Sequence, residues 1–99
     1  MRVVADLERA MSNPYLSGGD TPRIERARRE IFDFQNRWAR GRFDRGELDE
    51  AIGAVQGVVH ARSLPYQDRE ILAADLARMR EFRARQTGGY YNNGPYGYR

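Results

Sequence analysis

The chain has 99 residues, with 17 arginines and no lysine, 14 acids, one histidine and no cysteine, for a net charge of +3. A chain of this length forms one domain with a modest core, because only about 60–70% of the unfolded surface is buried at this size. The lack of cysteine excludes disulfides, thiolate nucleophiles and cysteine-bound zinc, and no apolar run approaches the roughly 20 residues of a membrane span.

Charge is unevenly placed. Residues 22–46 hold eight arginines against four acids, whereas residues 47–62 hold one arginine against three acids. A basic helix followed by an acidic one points first to internal pairing between them. The arginine-only usage reads as compositional bias, with anion recognition by guanidinium forks as the alternative.

Met1-Arg2-Val3-Val4-Ala5-Asp6 is too short and polar for a signal peptide, so the leader of an exported form would lie outside this sequence. Residues 2–12 place Val4, Leu7 and Met11 on one helical face with Val3 and Ala10 beside them, which predicts a short helix. Asn13-Pro14 ends it. A loop follows, from which Tyr15 and Leu16 can dock. Thr21-Pro22 is read as an N-cap hydroxyl followed by proline at the first helical position. Ile24, Ala27, Ile31, Phe34 and Trp38 then form a stripe at spacings of three and four that predicts a helix over 22–39. Glu25 with Arg29 and Asp33 with Arg37 stand at i,i+4 on its polar side. Phe32 lies off the stripe, so contacts on two sides are expected.

Gly41 permits a positive φ after this helix. Asp44-Arg45-Gly46-Glu47 reads as a capping box, with Glu47 reaching back to the Asp44 backbone N–H. The helix predicted over 45–61 buries Leu48, Ile52, Val55 and Val59, helped by Ala51 and Val58. Its Gly53 and Gly57 lower helix propensity, and their spacing would let a neighbouring helix approach closely. After a turn at 62–65, a helix over 66–86 turns Leu72, Leu76, Met79 and Phe82 inward, with Ile71 at the edge. It shows Arg69, Asp75, Arg78, Glu81 and Arg85 to water. Gly88-Gly89 stops it, and residues 88–99 read as a flexible Gly/Tyr/Asn-rich tail outside a single helical domain of residues 1–87. The expected fold is all-α, a short N-terminal helix plus a three-helix antiparallel bundle with EF-hand-like helix-loop-helix turns. Its predicted core is Ile31, Phe34, Trp38, Phe43, Leu48, Ile52, Val55, Leu64, Leu72, Leu76, Met79 and Phe82.

The EF-hand reading comes from counting twelve positions from Asn36 to Glu47. Gly41 falls at position 6, Phe43 at 8, Asp44 at 9 and Glu47 at 12. Positions 3 and 5 are Trp38 and Arg40 where oxygen ligands belong, so the frame is expected to bind no metal. Weak calcium binding through Asn36, Asp44 and Glu47 is the alternative. Leu64 and Asp68 repeat the spacing of positions 8 and 12, which would let Phe43 and Leu64 pair in a short bridge. His60, near the end of its helix, suits a structural role at the helix dipole. No nucleophile elbow or phosphate loop accompanies it or Ser63, so neither catalysis nor a cofactor is expected. Arg23, Arg26, Arg37, Arg40, Arg42 and Arg45, with the tyrosines of the tail, offer nucleic-acid binding as a second function class. Interleaved acids favour a salt-bridged surface and an unidentified protein partner instead.

Three segments look familiar together: Phe34-Gln35-Asn36-Arg37-Trp38; Gly41 to Asp44 leading to Leu48-Asp49-Glu50-Ala51-Ile52; and Asp68 to Leu76 leading to Arg80-Glu81-Phe82-Arg83. Over residues 3–86 the chain resembles an uncharacterised family of small, exported bacterial helical proteins, in which a signal peptide and a Gly/Arg/Tyr-rich segment precede the helical domain. That resemblance implies a periplasmic or secreted interaction or structural module of the cell envelope. It supplies no catalytic residues.

Overall fold

The computed structural model describes residues 2–14 and 16–87, so Tyr15 and the predicted tail of 88–99 lie outside the described residues. Four helices follow in order, α1 (Arg2–Met11), α2 (Thr21–Ala39), α3 (Arg45–Val59) and α4 (Tyr66–Thr87), and no strand occurs among the described residues. Backbones approach each other from α1 to α2, α2 to α3, α3 to α4 and α4 back to α1, while α2 reaches α4 through side chains, Phe34 and Trp38 against Phe82. The short helix packs against both α2 and α4 and so closes the bundle of the three longer helices. α4 runs antiparallel to it: Asp6 meets Asp75 while Asn13 Nδ2 donates to Asp68 Oδ2 across 3.2 Å.

The helix boundaries follow local chemistry. Asp44 is the N-cap of α3 in extended conformation, and its Oδ1 accepts from the Glu47 N–H at 2.9 Å. At the end of α2 the Arg42 N–H reaches the Arg37 carbonyl and the Gly41 N–H the Trp38 carbonyl, both at 2.9 Å. These two bonds make a Schellman close, and it requires Gly41 at φ +80°. The start of α2 departs from expectation. Asp20, not Thr21, holds the N-cap position, and its side chain makes no capping bond there. Asp20 Oδ2 instead accepts from the Ser63 hydroxyl at 2.5 Å and the Ser63 N–H at 3.1 Å, while Ser63 Oγ accepts from the Ser17 N–H. Those bonds tie the α1–α2 loop to the α3–α4 turn, chiefly through the Ser63 hydroxyl, which holds the Asp20 carboxyl below its ordinary value.

The core is centred on Leu7, Ile24, Ile31, Phe34, Leu48, Val55, Val58 and Leu72, each at most 2% exposed. Leu16 docks against it as expected. Five expectations are corrected. On α1 the buried face is Val3, Asp6, Leu7 and Ala10, with Val4 and Met11 only partly covered, one position round from the predicted stripe. Asp75 faces the core, not water, being 2% exposed. Its position, three after Leu72 and four before Met79, puts it on their face. Trp38 is 45% exposed in the last turn of α2, where the rings of Phe34, Phe43 and Phe82 cover only part of it. Phe43 and Leu64 cannot pair, because they occupy the two turns flanking α3, whose 15 residues separate them by about 22 Å. Gly53 is exposed and receives no close helix, since a Cβ there would meet nothing within 4 Å. Gly53→Ala should therefore stabilise the protein by about 1 kcal/mol through helix propensity alone, read as a raised midpoint in a urea melt.

Candidate functional site

The end of the bundle where α2 hands over to α3 concentrates the unusual chemistry. Phe34 and Trp38, one turn apart on α2, meet Phe43 from the turn and Phe82 from α4. Ring centroids lie between 5.5 Å (Trp38 to Phe82) and 6.3 Å (Phe43 to Phe82). Phe34 stacks on Trp38 at 6.1 Å, and the other contacts are edge-to-face, the geometry that aromatic quadrupoles favour. Phe34 is buried and Trp38 half exposed, so the cluster holds one indole rigidly at the surface.

Beside it lies a charged group that the sequence did not reveal. Arg37 Nη1 donates to Asp44 Oδ2 at 2.7 Å and to Glu47 Oε1 at 3.2 Å. An internal guanidinium therefore bridges two of the three residues in the alternative calcium set, while Asn36 is exposed on α2 and no hydrogen bond joins it to either acid among the described residues. Arg37 consequently pairs across the turn and not with Asp33 on its own helix, and Arg26 pairs with Glu30 at 3.9 Å. Glu47 does not close a capping box. Its carboxyl groups with those of Glu30 and Asp33, with oxygens within 4.8 Å of one another. A hydrogen bond with Glu30, then burial and the Glu30 charge, push the Glu47 carboxyl up to about 7, against the pull of Arg37. Asp44 goes the other way, held below its ordinary value first by the Glu47 N–H and then, against burial, by the charges of Arg37 and Arg42.

The raised value fixes a pH dependence. Folded Glu47 holds its proton more tightly than the unfolded chain, so its contribution to stability is complete below about 4.5 and is lost as pH rises through about 7. Glu47→Gln, which stays neutral and keeps an acceptor for Arg37, should flatten the wild-type decline over that range in urea melts. A variant that declines as steeply as wild type would place the titration elsewhere.

The six arginines named for nucleic acid do not form one patch. Arg23 donates to the Gly57 carbonyl at 3.4 Å and neighbours Asp20, while Arg26 lies beside Glu30. Both stand on the first half of α2, 14 or more residues before Arg40, which is about 20 Å along a helix. Arg37 is committed to Asp44 and Glu47. Arg40 and Arg42 in the turn and Arg45 at the start of α3 are exposed and near Trp38 in the chain; no salt bridge engages them among the described residues, although the Arg42 charge acts on Asp44. His60 is the exposed C-cap of α3. Among the described residues no helix is long and apolar enough to cross a membrane. Comparison with protein-family models, curated proteins and solved structures gives no match.

Proposed function

We propose that this chain is a binding module without catalytic chemistry of its own, which docks an acidic, partly apolar segment of a partner protein at the α2–α3 end. The observation that carries this reading is the half-exposed Trp38, fixed on three phenylalanine rings and surrounded in the chain by the exposed Arg40, Arg42 and Arg45. A pre-positioned aromatic ring loses little freedom on binding, and exposed tryptophan and arginine are the residue types that dominate binding energy at protein interfaces. Guanidinium groups around it complement carboxylates and steer their approach. In this reading the EF-hand-like frame of residues 36–47 is a metal-free support for the ring. The resemblance of residues 3–86 to exported bacterial helical proteins supports a place in the cell envelope.

Trp38 is the sole tryptophan, so its fluorescence reports the site directly. Titration with a synthetic glutamate- and leucine-rich peptide should give a saturable change that Arg40→Glu and Arg42→Glu weaken. Both substitutions are on exposed positions and leave the core intact. Silence toward the peptide, with saturation by an oligothymidylate strand and a steep linear loss of affinity with log salt, would transfer the site to nucleic acid. Silence toward both would remove the docking role.

A further inference from the structure

Between α1 and α4, two aspartates are buried against each other. Asp6 is 8% and Asp75 2% exposed, and they are the only buried charged residues among those described. Each occupies an apolar stripe: Asp6 lies between Val3 and Ala10 on α1, and Asp75 between Leu72 and Met79 on α4. The outer oxygens are satisfied. Arg9 donates to Asp6 Oδ1 at 2.8 Å, and Arg78 donates to Asp75 Oδ1 at 2.5 Å. The inner oxygens, Asp6 Oδ2 and Asp75 Oδ2, are both buried with no hydrogen-bond donor. Two carboxylates cannot satisfy each other, since an ionised carboxylate only accepts. One proton changes this, because a carboxyl on either side donates to the other.

We propose that Asp6 and Asp75 form a proton-operated latch, which fastens α1 to α4 when they share one proton and loosens it when both are ionised. Burial first, then the hydrogen bond with Asp6, push the Asp75 carboxyl up to about 6, against the pull of Arg78. Since the ordinary value is 3.8, the folded state binds this proton more tightly than the unfolded chain does. The latch is therefore fully closed below about 3.8 and is lost as pH rises through about 6. Arg2 and Arg9 on α1 and Arg78 on α4 are the cations around the pair, and no hydrogen bond or ion pair from α2 or α3 reaches it among the described residues. α1 is the element fitted to respond, for its ten residues bury only Val3, Leu7 and Ala10 besides Asp6, with Val4 and Met11 partly covered. A cleft of about 370 Å³ lies along this seam, walled by Arg2 and Val3 on α1 and by Asp75, Arg78, Met79 and Phe82 on α4.

Amide hydrogen exchange on the full chain tests the latch, at about pH 4 and about pH 7 with rates corrected for intrinsic exchange. Protection of α1 relative to α3 should fall by about tenfold to a hundredfold at the higher pH, the range that a shift of one to two pKa units can supply. In Asp75→Asn the amide donates to Asp6 at every pH, so α1 should stay protected throughout. Asp6→Asn tests the same bond from the other side should the first variant not fold. An α1 whose relative protection is equal at the two pH values overturns the proposal, as does either folded variant that follows the wild-type profile. The peptide titration at Trp38 and the exchange of α1 are separate readouts, although Phe82 belongs both to the cleft and to the ring cluster.

Discussion

Phe34→Ala should be the most damaging aromatic substitution in the protein, with a loss of about 3–5 kcal/mol in urea unfolding. Phe34 is 2% exposed and is the only ring of its cluster in the buried core. It touches Trp38, Phe43 and Phe82 within 6.2 Å, so it joins the turn and α4 to α2. Truncation leaves a cavity that two partly exposed rings and the half-exposed indole must collapse into, and it cancels three aromatic contacts worth about 0.5–1.5 kcal/mol each. Trp38→Ala removes a larger side chain but should cost clearly less, since nearly half of the residue is already in water. For a domain of about this size each 1 kcal/mol moves the thermal midpoint by about 4–8 °C. Equal melting temperatures for the two variants would contradict this division between buried anchor and surface ring.

Leu7→Ala should cost about 2–5 kcal/mol for its cavity, and the loss should be concentrated in one helix. Leu7 is completely buried and is the largest apolar side chain on the docked face of α1. A ten-residue helix is shorter than the roughly 12–15 residues that are marginal in isolation, so α1 persists only while docked. α2, α3 and α4 retain their mutual contacts through Ile31, Leu48, Val55 and Leu72 when α1 leaves. Amide exchange should therefore show protection lost across residues 2–11 and kept in the other helices. Uniform loss throughout would mean instead that the four helices open as one unit.

Much of the helical framework was legible before any coordinates. Pro22, Gly41 and the Asp44 cap placed helix ends within a residue or two, because these signals act through the backbone of their immediate neighbours. Periods of three and four placed Ile31, Phe34, Leu48, Val55 and Leu72 in the core. The same rule, applied strictly, puts Asp75 on the stripe of Leu72 and Met79. Assigning it to water followed its charge and ignored its position. Likewise Asp6 shares the face of Val3 and Ala10. Trp38 was misplaced for the converse reason: periodicity gives the face of a helix but not whether a neighbour extends far enough to cover it.

What the sequence by itself determined, then, is where four helices begin and end and which side of each is apolar, since both depend on residues within about one turn of each other. The tertiary structure alone decided which charges meet. Arg37 with Asp44 and Glu47, Glu30 with Glu47, Asp20 with Ser63 and Asp6 with Asp75 come from different elements, the last two pairs 43 and 69 residues apart. Their protonation depends on through-space distance and burial, which no local spacing encodes. The exposure of Trp38, and with it the candidate docking end, is set in the same way by how much of the ring Phe43 and Phe82 cover from other elements.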